Sequence, residues 1–474
     1  MSEAYQNSQG NPLGYEPIGK LLRMFALPSV IAMLVNAIYN IVDQIFIGQG
    51  VGYLGNAATT VAFPIVSIIL AVATLIGAGG SAYAAIKLGE KRDKEAQQTL
   101  GNVLTLSLIG GVTLSIFGLL FLKPILILFG ATDANMEYSM QYASIIFIGL
   151  PFNVLGIALS NMARTDGSPA LSMYSIVIGA VLNCVLDPLY IFVFHWGVAG
   201  AAIATISSQI LSALVLLIYF WKYGKSMRFH KADMKLQPHI VQRIVSLGIS
   251  SCITQSAQAI MQIILNNSLV HYGDMCSVTG DVALSAMGIV LKISMIIVAV
   301  CIGIGVGSQP IMGFNRGANQ PKRIKQTFIM AVSIATLVVV IGWALCESIP
   351  NIILKLFGES DGNFTDFAVK SMRIYLFGIF ASGFQIVTTN YFQATGQPLK
   401  ASILSTLRQL ILLIPLIIVL PMFFGLDGIL YAGPIADISS GIIVLCFAVY
   451  EIKKLNVWIR DGEQTIIKQE HGQA

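Results

Sequence analysis

Residues 168–221 read SPALSMYSIVIGAVLNCVLDPLYIFVFHWGVAGAAIATISSQILSALVLLIYFW, and Asp187 is the only formally charged side chain among them. The stretch holds two apolar runs, 169–194 and 198–221, with His195-Trp196-Gly197 at their junction. A helix crosses a bilayer with roughly 20 mostly apolar residues, so each run reads as one crossing. A carboxylate in such a place is expensive, at about 2.5–3.5 kcal/mol on insertion scales, and points to a functional task.

The rest of the chain repeats this character. Of its 474 residues 55% are hydrophobic and 11% charged, with a mean hydropathy of +0.77, which makes the bilayer its natural solvent. Unpaired backbone groups cannot face lipid, and strands of alternating polarity for a barrel are absent. The predicted fold is an all-α polytopic membrane protein with twelve transmembrane helices, at 21–48, 57–87, 99–123, 138–163, 169–194, 198–221, 240–271, 282–312, 326–347, 366–393, 400–424 and 428–452.

Twelve is even, so both termini share a side. That side collects Lys20, Arg23, Lys87, Lys91, Arg92 and Lys94, the linker cations Lys222, Lys225, Arg228, Lys231, Lys235 and Arg243, then Arg316, Lys322, Arg323 and Lys325, and finally Lys453, Lys454, Arg460 and Lys468. The opposite loops offer little beyond Lys123 and Lys355. The positive-inside rule then places both termini in the cytoplasm. The net charge of +5 is topological rather than a nucleic-acid footprint. The polar first nineteen residues show no basic start, apolar core and cleavage site of a signal peptide. Six scattered cysteines have no metal or redox spacing.

A weak repeat divides the chain. Ile127-Leu-Phe-Gly-Ala-Thr-Asp133 returns as Lys355-Leu-Phe-Gly-Glu-Ser-Asp361, and at the same offset Gly89 matches Gly317, Thr99 matches Thr327, Gly197 matches Gly425 and Gly200 matches Gly428. Gly167-Ser-Pro169 and Gly396-Gln-Pro398 align one residue out of step. The organisation is therefore a polar tail (1–19), a first lobe of helices 1–6 (20–221), a basic cytoplasmic linker (222–239), a second lobe of helices 7–12 (240–454) and a second polar tail (455–474). Six crossings restore the starting side, so the lobes are related by a pseudo-twofold along the membrane normal, with a cavity expected between them.

Within the first lobe, Asp43 is about 24 Å along helix 1 and Asp187 about 24 Å along helix 5 at 1.5 Å per residue. Thr205 of helix 6 falls near that depth, and Asn183 is one turn from Asp187 on the same face. Asn36, Asn40 and Asp43 share a face of helix 1, with Tyr39 beside it. Two carboxylates in a poorly solvated site repel and favour a proton or Na⁺ there. The plainer reading of these residues is a hydrogen-bonded packing network.

The second lobe differs. Lys292 in helix 8, Asp437 in helix 12 and Arg408 in helix 11 lie near mid-membrane and are expected to form an internal ion pair, or a gate. Gln255 and Gln262 of helix 7, with Asn153 of helix 4, are the polar positions expected along a substrate cavity. The close glycines of Gly303–Ser308 and Gly77–Ala82 read as helix contact rather than phosphate binding. The absence of a GxxxxGK[ST] loop argues against ATP use. Five histidines without an HExxH set, and no nucleophile–base constellation, argue against an enzyme.

The pattern resembles the multidrug and toxic compound extrusion (MATE) family from about Lys20 to Lys454. The residues that carry the resemblance are Ala26-Leu-Pro-Ser29, Asn40-Ile-Val-Asp43 followed by Ile47-Gly48, Arg164-Thr-Asp-Gly167, Asn183-Cys-Val-Leu-Asp-Pro188, Gly197-Val-Ala-Gly-Ala-Ala202 and Gln393-Ala-Thr-Gly-Gln-Pro398. The resemblance implies a secondary antiporter in a bacterial inner membrane. It would export small drug-like compounds, often cationic and lipophilic, against H⁺ or Na⁺, without organic cofactor or ATP, as a monomer in lipid. It also implies an ion site at Asp43, Asn183, Asp187 and Thr205, the place where Na⁺ would bind if a metal ion is used, and a helix 1 hinge at Pro28. Relatives with acids in helices 7 and 10 of the second lobe are not matched at those positions. The alternative is a lipid-linked oligosaccharide flippase of the same architecture, which calls for extra helices and a strongly cationic cavity.

Overall fold

The computed structural model describes residues 11–51, 53–129, 131, 135–276, 280–355 and 362–471. Most of the ILFGATD and KLFGESD repeat lies outside them. Twelve helices are long and apolar enough to cross a membrane among the described residues, and the chain is an integral membrane protein. They are α1 (Ile18–Val51), α2 (Tyr53–Gly89), α3 (Asp93–Leu120), α4 (Met136–Thr165), α5 (Pro169–Val193), α6 (Gly197–Lys222), α7 (Pro238–Asp274), α8 (Gly280–Gly317), α9 (Pro321–Ser348), α10 (Phe364–Ala394), α11 (Pro398–Phe424) and α12 (Leu426–His471). Two short helices, Leu122–Leu128 and Pro350–Lys355, follow α3 and α9.

Several boundaries follow from backbone chemistry. Prolines open α5, α7, α9 and α11, where the missing N–H would have had no partner anyway. Gly167 (φ +81°) and Gly396 (φ +77°) make the left-handed turns ahead of Pro169 and Pro398, so the same corner is built in both halves. Three crossings leave α geometry partway. Helix α5 ends in a π turn, Leu189–Val193, directly after Pro188, whose ring removes one donor from the ladder. Helix α11 contains a π turn at Leu407–Leu413, and α10 a 3₁₀ stretch at Leu376–Ala381.

The halves pack by one scheme. In the first, α4 sits against α2, α3 and α6, and α5 against α1 and α6. In the second, α10 sits against α8, α9 and α12, and α11 against α7 and α12. Between halves α1 meets α8 and α7 meets α2, while α2 and α8 cross each other. That crossing is two-fold in detail. A Cβ at Gly89 would collide with the Phe314 carbonyl and press on Ala318, and one at Gly317 would collide with the Ile86 carbonyl and press on Glu90. This is the self-complementary contact that a two-fold axis produces. Gly79 and Gly248 do the same for α2 and α7, as do Gly303 and Gly307 against Val30 and Ala26 of α1. Small residues let these backbones approach closely. All of these approaches lie in the half of the molecule nearer the basic loops, here called the basic face.

The segment joining the halves is strapped to the first. Asp166, 1% exposed, accepts from the backbone N–H groups of Lys225, Ser226 and Met227, each at 2.8 Å, and from the Tyr219 hydroxyl at 2.6 Å. Burial raises the Asp166 pKa, while these hydrogen bonds work the other way. Farther on, Asn102 accepts from the Gln237 N–H, and Thr105 donates to the Met234 carbonyl.

Candidate functional site

The first lobe gathers its acids at one place. Helix α5 buries Asp187 completely and Asn183 to 1% exposure. Asn183 Nδ2 donates to Asp187 Oδ1 at 3.2 Å and approaches Thr205 Oγ1 of α6 at 3.5 Å. Between α5 and α1, the Asp43 carboxylate is a close neighbour of the Asp187 carboxylate, two acceptors that need a proton or cation to join them. Tyr39 of α1 and Tyr142 of α4 are neighbours of both acids.

The pairing leaves specific atoms unsatisfied. Asp43 Oδ1, Asn183 Oδ1 and Asp187 Oδ2 are buried without a donor among the described residues. No Lys, Arg or His forms an ion pair with either acid among those residues. Burying an acceptor without a donor costs about 1–3 kcal/mol, more when it is charged. One proton on either carboxylate would turn their contact into a hydrogen bond. A small cation would be met by three hard oxygens plus the Thr205 hydroxyl, the donor chemistry such ions favour. No group of three or more His, Cys, Asp or Glu side chains suited to a tightly held metal occurs among the described residues.

Other positions singled out in the sequence lie elsewhere. Asn40 donates to Asn36 at 2.9 Å through the side chain, so these two satisfy one another on an accessible stretch of α1. Pro28 lies within α1, which runs unbroken through it. It falls between Ala26 and Val30, which meet Gly307 and Gly303 of α8. Asn153 of α4 keeps a buried Oδ1 without a donor. On α7, Gln262 donates to Asn266 at 3.0 Å, one turn along, and Gln255 is half-buried.

In the second lobe Arg408 Nε meets Asp437 Oδ1 at 2.6 Å, with Asp437 5% exposed. Gln385 holds the Asp437 carbonyl at 2.7 Å. Lys292 is not part of this pair. It is half-buried on α8 and forms no ion pair among the described residues. Arg408 lies in the π turn beginning at Leu407, a part of α11 that packs on α12.

Three features escaped the sequence reading. Gln309 of α8 donates to Asn390 at 2.6 Å and Gln393 at 3.0 Å, and Gln393 reaches the Leu247 carbonyl at 2.8 Å, a neutral network tying α7, α8 and α10. Glu451, 4% exposed, is held by Lys400 at 2.9 Å and Gln397 at 2.8 Å. Tyr142 faces the acid pair from α4. Each is a single polar residue in an apolar run, a signal that does not name its partner.

The chain matches the model of the MatE family over residues 28–189 and 250–419. It is 27% identical over 445 residues to the multidrug export protein MepA of Staphylococcus haemolyticus (strain JCSC1435), across 92% of this chain and 94% of that protein. With MepA of Staphylococcus aureus (strain N315) the identity is 26%, across 89% and 91%. Among solved structures, a ligand complex of the MATE multidrug transporter DinF-BH superposes with a TM-score of 0.87 at 35% identity, covering 94% of this chain and 98% of that one. An outward-facing MATE family transporter of the MOP superfamily gives 0.88 at 23% identity, covering 94% and 99%, a likeness of fold.

Proposed function

The chain belongs to the MatE family, transporters rather than enzymes, and on that premise we propose that it is a multidrug efflux antiporter. Its cargo is small organic compounds, chiefly cationic or lipophilic, exchanged for H⁺ or Na⁺. It works in a bacterial inner membrane with the basic face toward the cytoplasm, as a monomer and without ATP. The observation that carries this reading is the trio of buried acceptors, Asp43 Oδ1, Asn183 Oδ1 and Asp187 Oδ2, beside two acids with no cationic partner among the described residues. The flippase alternative is not favoured, since the relatives are multidrug export proteins.

The mechanism is alternating access. With the basic-face seam packed, the acid pair is reached from the opposite side. A proton or Na⁺ arriving there cancels one of the two negative charges of Asp43 and Asp187 and is shared between them, which relieves their repulsion and draws α1 toward α5. Pro28 lacks the N–H that would bind the Met24 carbonyl, so α1 can bend there. The bend alters the packing of Ala26 and Val30 on Gly307 and Gly303, and thus couples the ion to the seam. Substrate affinity falls as the ion binds. An ion drives the cycle only through its different affinity for the two conformations, and one charge crossing 100 mV contributes about 2.3 kcal/mol.

Ethidium efflux from proteoliposomes, under pH and Na⁺ gradients imposed one at a time, tests this. A gradient of at least one ion should drive efflux in the native protein. Asp187→Asn should insert normally and lose the driven component. Driven efflux at the native rate in that variant would refute the assignment.

A further inference from the structure

A cavity of about 1130 Å³ opens at the basic face, where the basic-face ends of α2, α7, α8 and α12 converge. It lies far from the acid pair and has no part in the coupling described above. Its charges divide into two sets. On the first-lobe side Lys87 is paired with Glu90 at 2.8 Å and Glu95 at 3.3 Å, and Arg92 with Glu95, so that wall is internally neutralised. Glu451 is engaged by Lys400.

On the second-lobe side, Arg243 of α7, Arg316 of α8 and Lys454 of α12 line the same cavity, and none forms an ion pair among the described residues. Arg316 is stacked on Trp458, 4.7 Å from the ring centroid. That contact fixes the plane of the guanidinium while leaving its N–H edge available. Arg243 and Tyr83 of α2 line the same cavity, so Arg243 faces the first lobe across it. Three such cations from three helices form an anion-binding arrangement, and arginine's fork matches phosphate oxygens two at a time. The volume exceeds what inorganic phosphate fills and lies just above the roughly 300–1,000 Å³ of sites that take drug-sized molecules, so it has room for a phosphate carried on a larger group.

We propose that this cavity binds an anionic, phosphate-bearing ligand, held by Arg243, Arg316 and Lys454 against the Tyr83–Lys87 wall of the first lobe. Because the ligand touches both lobes beside the Gly89–Gly317 crossing, it holds the basic-face seam closed and slows the return to the cytoplasm-open state. The phosphate can arrive on a lipid headgroup or on a soluble molecule, and the two sources are separable.

The full chain is reconstituted into phosphatidylcholine nanodiscs and titrated with pyrophosphate, and separately into nanodiscs containing phosphatidylglycerol, with thermal melting as the readout. A stabilisation saturating with pyrophosphate identifies a soluble ligand, and one seen only with phosphatidylglycerol identifies the headgroup. In either case Arg243→Gln/Arg316→Gln/Lys454→Gln should abolish the shift. Lys231→Gln, an exposed cation on the same face outside the cavity, should keep it. The exposed Lys454→Gln alone, in case the triple variant does not fold, should weaken half-saturation roughly tenfold. Asp43→Asn should leave the shift intact, which separates this proposal from the ion-coupling one. No shift from either source, or a shift that survives loss of the cavity cations, overturns it.

Discussion

The two lobes share one scaffold and treat their buried acids in opposite ways. In the second, Asp437 is closed off by Arg408 at 2.6 Å. In the first, Asp43 and Asp187 face one another, and no basic side chain pairs with them among the described residues. A buried charge with its own counter-ion needs nothing from outside and can order a lobe. A buried acid pair without one depends on a mobile cation. On the ion-coupling proposal the same fold carries a fixed half and a responsive half, and the difference lies in the arginine beside Asp437.

Exchanging these conditions should expose the asymmetry. The largest effect is expected from Asp43→Asn, as from Asp187→Asn. Ion-driven efflux should fall to the undriven level while the melting temperature holds or rises, because an amide relieves a buried carboxylate pair. Next comes Arg408→Met, which leaves Asp437 uncompensated. Breaking a buried pair from one side costs about 3–5 kcal/mol, readable as a much lower melting temperature. Arg408→Met/Asp437→Leu should recover most of that loss, since apolar replacement of both partners is often neutral. If the single variant melts like the native protein, the fixed-half reading fails.

Asp166→Ala should be milder for transport than for the linker. It strands three backbone N–H groups, at about 1–3 kcal/mol for each one that water does not reach, and limited proteolysis should then cut near residues 224–230. The smallest effect is expected at Thr205→Val. It removes one neutral oxygen and should raise the ion concentration for half-maximal efflux severalfold without abolishing it, and an unchanged value would take Thr205 out of the site.

Much of this architecture is legible in the residues, for identifiable reasons. Long apolar runs mark the crossings because lipid admits no other backbone, and Gly89 with Gly317 marks the repeat because only glycine tolerates that crossing. Depth along helices 1 and 5 brings Asp43 and Asp187 to one level. Depth alone does not fix azimuth, which is why Lys292 and Arg408 are both candidate partners of Asp437 in the sequence while Arg408 occupies that place in the fold. The π turn at Leu407–Leu413 rotates α11 and has no residue signature of its own. The Gln309–Asn390–Gln393 network and the hold of Asp166 on the linker join partners far apart in the chain, through groups that are unremarkable singly.

The central claim is that the first-lobe acid pair keeps a proton that rising pH or Na⁺ can remove. Infrared difference spectroscopy on the reconstituted protein reads it directly, through the stretching band of a protonated carboxyl group. The native protein should lose such a band on alkalinisation or on addition of Na⁺, Asp43→Asn and Asp187→Asn should lack that loss, and Asp437→Asn should retain it. A native protein without the band, or a loss of the band on alkalinisation that persists in Asp187→Asn, would contradict the account.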